Sequence, residues 1–416
     1  MAKPKLALIP AAQGDKFYSV LPSDGVGDFD FTRGSSATRI NAQGLIETVA
    51  DTSSRLNYDL LNGKVVNCPH YLLEPARTNS ITYSEDFSNA YWLSGATPNN
   101  EVSPNGTLTA YTNLASGIYP VNQTSIDSTI VNTGSIFAKS NPNGSNIMTL
   151  NLNRYGSGDA VICTFDLLLG TFGTVANNGT ASQGTAKIEN FGNGWYRCSL
   201  SGISSTTSGG LSFNPIGNCF IYGAQVEQGS YSTSYIPTNG TAITRAAESA
   251  DGSGDAATFN DSEGVLMAEI RALANDGTTR RFSISDGSYS NRITLELDES
   301  SNTLKVFVIS ANTTYYSPSE VLSDITNYNK VAIKYKQNDF ALWINGFEFD
   351  VDNSGDTPIN LSQMQFADGN GSDAPLYGKT RELQYFDSAL TDAQLETLTS
   401  WTSLQEMITS QLYTNY

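Results

Sequence analysis

Carboxylates at alternate positions of a predicted strand come nearest to a catalytic pattern in this sequence. An E-x-D-x-x-E strand places three carboxylates on one face, where they can act as nucleophile, helper and acid in glycoside hydrolysis. The sequence has ELDESS from Glu296, with Ser301 in the third place, and EFDVDN from Glu348, with Asn353 there. Losing the third carboxylate removes an acid/base worth about 10²–10⁴-fold in rate. We therefore expect these carboxylates to lie on the solvent faces of exposed strands. The alternative is that they act in a polysaccharide depolymerase.

The sequence offers few residues for histidine-based catalysis or metal binding. The single histidine, His70, follows Pro69, and neither a His-based triad nor a His-ligated zinc site can be assembled from it. We predict no catalytic residue, no metal ligand and no cofactor. Clustered loop oxygens can hold Ca²⁺, and Asp368 in ADGNGSD is the candidate for such a Ca²⁺ site, although Asp-Gly is more often simply a turn.

Aromatic rings and loop carboxylates are the candidates for binding a sugar without catalysis. Sugar-binding sites use aromatic faces for C–H groups, and carboxylates or amides for hydroxyls. In FALWING, strand alternation puts Trp343 on the face opposite to the other apolar residues. The ring is then either a stacking platform or is covered by the N-terminal segment or a neighbouring subunit. Tyr315 and Tyr316 in ANTTYYSPSE, and Asp286 in SDGSYSN, are further candidates for a glycan site.

Four arginines lie within the first 80 residues: Arg33, Arg39, Arg55 and Arg77. A guanidinium group presents donors in a fork that suits carboxylates and backbone carbonyls. We take such internal bridges as the default role of these side chains. The alternative is that they dock this segment onto an acidic surface of a partner.

The elements that must position these residues are β-strands. Charged residues make up only 15% of the 416 residues, while turn formers and aromatic residues are frequent, which favours short strands and tight turns. We predict an all-β protein with two antiparallel β-sandwiches in tandem. The predicted parts are an extended N-terminal arm (1–80), a first sandwich (81–247), a linker (248–262), a second sandwich (263–390) and a short C-terminal helix (391–416).

Local signals are strongest towards the C-terminus. Asn345-Gly346 between FALWI and FEFDV is a typical hairpin turn. Thr391 and Gln394 form a capping-box pattern that begins a helix. The apolar face of this helix would carry Leu395, Leu398, Trp401, Leu404, Ile408 and Leu412. We expect this face to dock on the chain's own sandwich, with a contact at an oligomer axis as the alternative.

Charge and apolar runs restrict the partners. A formal charge of −18 without a basic stretch argues against nucleic acid. The N-terminal apolar run of about six residues is shorter than a signal peptide core or a spanning helix requires, so we expect no membrane insertion. We expect the protein to fold in bacterial cytoplasm. The 4 cysteines show no CxxC spacing, and we expect them to be reduced and buried.

Three stretches resemble structural proteins of tailed-bacteriophage virions. FTRGSSATRINAQGLIETVADTSSRLNYD and YLLEPARTNSITYSEDFSNAYW, within 31–92, are similar to a signature recurrent in these proteins. GNGWYRCSLSGI and FIYGAQVEQGSYSTSYIPTNGTAITRAAE, within 192–248, resemble the end of a carbohydrate-binding-module-like sandwich. Residues 263–400, with ALWING and LYGKTRELQYFDSALTDAQLETLTS, resemble a concanavalin A/laminin-G-like domain. LNGKVVNCPH departs from the family pattern, which has a shorter, glycine-centred connection there.

The resemblance implies a virion component of the fibre or decoration type, on the head or the tail, assembled in the bacterial host cytoplasm. Its arm would dock on capsid or tail, and jelly-roll or concanavalin-like sandwiches would project outward. Its partners would be other virion proteins, further copies of itself, most often as a trimer, and cell-surface glycans. We therefore expect a non-enzymatic structural protein displaying lectin-like domains. The alternatives are a phage-borne depolymerase and a free-standing adhesin or lectin.

Overall fold

The computed structural model describes residues 3–93, 95–99, 101–113, 116–120 and 127–401. Strands make up 48% and helix 2% of the structure. The prediction of an all-β protein with one short helix near the C-terminus is confirmed.

The strands fall into three groups along the chain. Before residue 81 lie β1 (Leu6–Leu8), β2 (Ala12–Gln13), β3 (Lys16–Phe17), β4 (Phe29–Thr32), β5 (Ala37–Ile40), β6 (Ile46–Val49), β7 (Leu56–Leu61), β8 (Lys64–Leu73) and β9 (Arg77–Asn79). The middle group is β10 (Trp92–Leu93), β11 (Thr97–Pro98), β12 (Tyr111–Thr112), β13 (Tyr119–Pro120), β14 (Asn132–Lys139), β15 (Ile147–Arg154), β16 (Ala160–Asp166), β17 (Thr171–Phe172), β18 (Ala176–Asn178), β19 (Ser182–Gly192), β20 (Trp195–Ile203), β21 (Leu211–Ile216), β22 (Phe220–Gln228) and β23 (Ile243–Arg245). The last group is β24 (Ser249–Asp251), β25 (Glu263–Ala272), β26 (Arg280–Ser285), β27 (Arg292–Leu297), β28 (Thr303–Ser310), β29 (Thr313–Tyr316), β30 (Ser319–Val321), β31 (Asn329–Lys336), β32 (Phe340–Ile344), β33 (Phe347–Asp352), β34 (Gln363–Gln365) and β35 (Gly378–Phe386), followed by helix α1 (Asp392–Ser400).

The second sandwich consists of two large antiparallel sheets. An eight-stranded sheet has the order β33-β32-β31-β25-β35-β8-β7, with β1 paired to β35. A six-stranded sheet has the order β29-β28-β27-β26-β34, with β30 paired to β28. Alternation sends Phe340, Leu342 and Ile344 of β32 into the core that the two sheets share. Asn345 and Gly346 adopt φ values of 50° and 89°, the left-handed values that an Asn-Gly hairpin turn needs.

The first 80 residues complete the second sandwich instead of extending from it as an arm. β1 pairs with β35 from Leu6↔Tyr385 onward, and β8 lies between β35 and β7. Phe17, Phe29 and Phe31 are buried in the same core. The prediction of an extended arm is corrected accordingly. Its strands are short and their partner strand lies near the other end of the chain, so local patterns could not reveal the pairing.

The first sandwich is formed by the chain between β9 and β23. One sheet has the order β11-β12-β22-β14-β20-β19, and the other has the order β17-β16-β15-β21 with β18 paired to β16. Leu150 and Leu152 of β15 meet Cys198 and Leu200 of β20 in its core. β9 and β23 pair with each other where the chain enters and leaves this sandwich. The first sandwich is therefore an insertion within the second.

The segment 248–262 is part of the folded structure and not a free linker. β24 pairs with β4 in a small sheet of the order β2-β3-β4-β24. Phe259 is buried, with its ring centroid 5.0 Å from that of Tyr385. The small polar residues that suggested a linker form turns, in which Asp255 Oδ1 accepts the Thr258 N–H at 2.8 Å. This prediction is corrected because tertiary pairing, which composition does not report, orders the segment.

Helix α1 begins at the predicted capping box, where the Thr391 N–H donates to Gln394 Oε1 at 3.0 Å. Its buried residues include Leu395 and Leu398, and they pack on the outer face of the eight-stranded sheet. Docking on the chain's own sandwich is thus the observed use of the helix. The rest of the predicted stripe, Leu404, Ile408 and Leu412, lies outside the described residues. In the described part of the chain, no helix is both long and apolar enough to cross a membrane.

Candidate functional site

Trp343 does not present a free ring. Its side chain points away from the sandwich core, as alternation predicted, but it is only 7% exposed. Leu395, Leu398 and Trp401 pack around it. The cover is the chain's own C-terminal helix, not the N-terminal segment or a neighbouring subunit. The hypothesis of a stacking platform at Trp343 is therefore corrected.

The remaining predicted glycan residues lie in the second sandwich. Tyr316 is buried and stacks on Phe340, with 5.5 Å between ring centroids. Tyr315 is half-buried beside Gly355. Asp286 holds its own turn, because its Oδ1 accepts the N–H of Ser288 at 2.9 Å. Tyr316 is therefore corrected as a sugar-contacting residue because its ring is covered, whereas the glycan roles of Tyr315 and Asp286 stay predictions.

Arg33 and Arg55 are buried in what we call the arginine network: Arg33, Arg55, Glu74, Arg245 and Glu248. Glu248 Oε1 accepts from Arg33 Nη1 at 2.7 Å and from Arg55 Nε at 2.8 Å. Glu74 Oε2 lies 2.9 Å from both Arg55 Nη2 and Arg245 Nη1. Burial disfavours ionisation of Glu74, but the Arg245 and Arg55 charges outweigh it and hold the pKa of this carboxyl well below its usual range.

The arginine network joins residues that are far apart in the sequence. Arg33, Arg55 and Glu74 lie in the first similar stretch, and Arg245 and Glu248 lie at the end of the second. The network therefore joins the N-terminal strands to the exit of the inserted sandwich. The hypothesis that Arg33 and Arg55 dock onto an external partner is corrected, since both guanidinium groups are enclosed and paired internally.

Arg39 and Arg77 remain partly accessible. Arg39 Nε lies 3.0 Å from Glu47 Oε2 across the β5–β6 hairpin. The Arg77 guanidinium lies over the ring of Tyr231, 5.6 Å from its centroid. Both side chains thus have internal partners, which is the default role proposed for them.

The first carboxylate segment of the enzyme alternative is buried: the side chains of Glu296 and Asp298 are close enough to hydrogen-bond to each other, so the expected solvent-exposed face is wrong for this segment. Glu296 on β27 is buried and lies 2.5 Å from Arg281 Nε, and Asp298 accepts from Lys305 Nζ at 2.6 Å. Burial raises the pKa of Glu296, and its bond to Arg281 opposes that rise. Glu348 is exposed on β33 of the other sheet. The Glu296 and Glu348 segments therefore do not share a strand face.

The residue proposed for Ca²⁺ is engaged by arginines. Asp368 Oδ2 accepts from Arg281 Nη1 at 2.9 Å, and Asp368 Oδ1 lies 3.0 Å from Arg292 Nε. Among the described residues, no group of three or more His, Cys, Asp or Glu side chains is placed to hold a metal ion.

A cleft of about 1110 Å³ lies between the two sandwiches, and none of the predicted glycan residues lines it. One wall is the β19–β20 hairpin, the floor is β7, and the opposite wall comes from β25, β35 and the 326–328 turn. Its half-buried aromatic residues are Tyr58, Phe191, Tyr196, Tyr231 and Tyr328, whereas the rings of Phe137 and Tyr235 are buried. A concave surface with aromatic rings and a few convergent polar groups is the usual form of a ligand site.

The polar centre of this cleft is a group that we call the Asp59 cluster: Asp59, Arg271, Tyr328, Lys379 and Arg381. Asp59 Oδ1 accepts from Arg271 Nη2 at 2.6 Å and from Lys379 Nζ at 2.7 Å. Asp59 Oδ2 accepts from the Tyr328 hydroxyl at 3.2 Å and from Arg381 Nη2 at 3.5 Å. One carboxylate is thus surrounded by three cations.

Tyr328 holds two of these cations in place. The Arg381 and Arg271 guanidinium carbons lie 3.6 Å and 4.5 Å from the centroid of its ring. A cation over an aromatic face is attracted by the negative charge of the ring face. The Tyr328 ring therefore helps to fix the two guanidinium groups in the lining of the cleft, so that a ligand need not order them on binding.

Charge in the cluster sets the protonation states. Burial disfavours the ionised form of Asp59, but the charges of Lys379 and Arg271 outweigh it and hold its pKa well below the usual range. Burial lowers the pKa of His70 well below its ordinary value, and the Lys379 charge lowers it further. His70 is therefore neutral at pH 7, and its Nε2 lies 3.1 Å from Asn57 Nδ2. Burial also lowers the pKa of Lys379, and the charge of Asp59 opposes that fall. The neutral histidine adds no charge to the cluster.

Comparisons with known proteins give a likeness over about a third of the chain. No family model matches the sequence, and no curated protein matches it. The CBM40 module of the Ruminococcus gnavus IT-sialidase bound to α2,3-sialyllactose has a TM-score of 0.31 at 14% identity, covering 36% of this chain and 87% of that one. The leech intramolecular trans-sialidase gives 0.30 at 13% identity, covering 35% and 24%. The botulinum neurotoxin serotype G binding domain gives 0.28 at 13% identity, covering 36% and 39%.

Sequence reasoning missed the cleft because its residues come from distant elements. Asp59 is on β7, Arg271 on β25 and Lys379 on β35, and only the register Arg271↔Lys379 brings the last two side by side. One signal was present: Glu269 and Arg271 in AEIRA, and Lys379 and Arg381 in GKTREL, stand at alternate positions. Such alternation marks a face turned away from the core.

Proposed function

We propose that this chain is a non-catalytic carbohydrate-binding structural protein of a tailed-phage virion, and that the cleft between its sandwiches is the glycan site. The observation that carries the binding part is the lining of that cleft, where aromatic faces and fixed polar groups converge. Aromatic rings pack against the C–H faces of a sugar, and the surrounding donors and acceptors bind its hydroxyls.

The non-catalytic part of the proposal is supported by the state of the carboxylates. Hydrolysis of a glycosidic bond uses two carboxyl groups that flank the bond, one of them able to give up a proton. Asp59 is held ionised by its cations. Glu189 on the opposite wall lies 2.8 Å from Lys187, and its pKa is lowered, since Lys187 outweighs the effect of burial. Neither group is suited to act as a general acid.

The virion part of the proposal is supported by the similarity of residues 31–92 and 192–248 to phage structural proteins. Copies of the chain on a particle, as a trimer or another assembly, would bind a glycan-coated cell multivalently. Linking sites in this way can raise avidity by about 10²–10⁴ over a single site, so a weak site in each cleft is sufficient for attachment.

A glycan array tests the binding site directly. We expect the full chain to bind a subset of glycans and Tyr328→Ala to lose that binding, because the ring that orders two arginines is gone. The matched control is Tyr155→Ala, since Tyr155 is 51% exposed and does not line the cleft. Equal binding by wild type and Tyr328→Ala would refute the cleft as the site. New reducing ends released from a bound polysaccharide would refute the non-catalytic assignment.

Particle purification tests the virion assignment. We expect the protein to sediment with intact particles in a density gradient and to resist removal by washing. Recovery only in the soluble fraction of the lysate would contradict this assignment without affecting the array result.

A further inference from the structure

We infer that the ligand of the cleft is an acidic sugar, whose carboxylate is bound by Arg271, Lys379 and Arg381. This inference rests on the proposed function and specifies its ligand class. The starting observation is the sign of the charge: the chain carries a net −18, yet cations predominate in the Asp59 cluster. Three of them share a single carboxylate there.

Neighbouring groups do not cancel this local positive charge. Arg381 Nη1 lies 3.7 Å from Glu269 Oε1, but Glu269 Oε2 also lies 3.9 Å from Lys330 Nζ. On the opposite wall, Glu189 is paired with Lys187. Counting these partners and Glu382, which lies beside Glu269 and whose pKa burial raises to about 7, the cations still exceed the carboxylates. A charged group in a partly desolvated cleft is costly without a counter-ion, so this excess favours an anionic ligand.

The cluster also has unused hydrogen-bond donors. A guanidinium group carries five N–H bonds in a planar fork that suits a carboxylate. The contacts of Arg381 with Asp59 and Glu269 are long, at 3.5 Å and 3.7 Å. Its Nε is buried without a hydrogen-bond partner in the part of the chain that the structure describes. Arg381 is 25% exposed and Arg271 22% exposed at the side chain, so both can be reached from the cleft.

Asp59 then has a definite role as an internal competitor. Its carboxylate occupies the cations in the absence of ligand, as the carboxylate of the sugar would occupy them in the complex. Removing its charge while keeping its shape should therefore strengthen the binding of an acidic sugar. A purely structural role for Asp59 predicts the opposite, since loss of its bonds would loosen the site.

Isothermal titration with matched probes tests the inference. The pairs are trigalacturonate and its methyl ester, a hyaluronan tetrasaccharide and its carboxyl-reduced form, and 3′-sialyllactose and lactose. We expect the full chain to prefer the charged member of at least one pair by about tenfold or more, the size expected for hydrogen bonds to charged groups. Raising NaCl from about 50 to about 200 mM should weaken the charged member selectively.

Two cleft variants, a control outside the cleft and one replacement variant locate the effect. Lys379→Met should lose about tenfold or more in affinity for the charged probe, whereas Lys336→Met, the same change in an exposed pair with Glu263 outside the cleft, should lose none. Asp59→Asn should gain about threefold or more. If Asp59→Asn does not fold, Glu189→Gln gives the same sign of effect, because it removes a carboxylate that faces Lys379 across the cleft.

The outcomes separate this inference from the function on which it rests. Equal affinity for the charged and neutral members of every pair overturns the acidic ligand, even if Tyr328→Ala still abolishes binding on the array. Weaker binding by folded Asp59→Asn, or by Glu189→Gln, overturns the competitor role. If every cleft variant keeps its binding on the array, the cleft is not the glycan site.

Discussion

Replacing Glu248 by Gln removes the charge at the centre of the arginine network while keeping the shape of the side chain. Glu248 accepts hydrogen bonds from Arg33 Nη1, Arg55 Nε and Arg55 Nη2, and its Oε2 also accepts the N–H of Glu74 at 2.8 Å. After the substitution, Arg33 loses the carboxylate it pairs with, Arg55 keeps only its share of Glu74, and the amide group of Gln turns a donor towards donors.

The expected loss of stability follows from burial. Removing one partner of a buried ion pair costs about 3–5 kcal/mol, because the remaining charge stays in a low-dielectric environment without its counter-ion. Arg33, Arg55 and Glu248 have fully buried side chains. Solvent screens their charges less than it screens a surface pair, so the upper part of that range applies. We therefore expect Glu248→Gln to lower the free energy of unfolding by at least about 3 kcal/mol.

Urea unfolding followed by tryptophan fluorescence measures this loss. The control is Glu47→Gln, which makes the same chemical change in the exposed pair with Arg39 and should cost no more than about 1 kcal/mol. A Glu248→Gln variant as stable as Glu47→Gln would show that the network does not stabilise the junction, and the reasoning from buried charge would be refuted.

Three further outcomes are expected. Trp343→Ala should cost about 3–5 kcal/mol of stability and leave glycan binding intact in the folded fraction; loss of binding without loss of stability would restore its glycan role. Burial raises the pKa of Glu382 to about 7 from 4.5, so the folded state loses stability as the pH rises through 7 and this carboxyl ionises. The melting temperature of Glu382→Gln should therefore rise relative to that of wild type between pH 5 and pH 8, whereas that of the exposed control Glu396→Gln should not. The depressed pKa of Glu74 stabilises the folded state at pH values above the pKa of the unfolded chain, about 4.3. This stability should be lost on acidification below that pH, and the loss should be shallower in Glu74→Gln. Equal slopes of stability against pH in the two proteins would contradict this linkage.

The parts of the fold that follow from short-range chemistry could be predicted from the sequence. Asn345-Gly346 requires left-handed backbone values that Asn and Gly tolerate, and the hairpin forms there. The capping pattern of Thr391 and Gln394 likewise begins a helix on its own turn. Alternation correctly placed Trp343 on the face opposite the core. Each of these signals is complete within a few residues.

The parts that depend on distant pairing could not be predicted. Nothing in the sequence near Leu6 indicates that its partner is Tyr385, and nothing near Trp343 indicates that α1 covers it. The Asp59 cluster has the same origin, since its members meet only after β7, β25 and β35 are aligned in one sheet. Residue type suggested their exposure to solvent, and only the register of the strands makes them a site.

The side-by-side entry and exit of the inserted sandwich has a consequence for the order of folding. The second sandwich cannot be completed until β25 and β35 have been synthesised, long after β1, β7 and β8. Bringing these distant segments together as an unfolded chain would require closing a loop that spans the whole insertion. Once the first sandwich has folded, its paired strands β9 and β23 hold the two ends of that loop at the spacing of neighbouring strands, about 4.8 Å. We therefore infer that the inserted sandwich folds first. By holding its two ends together, it lets the distant strands of the second sandwich pair as if they were close in sequence.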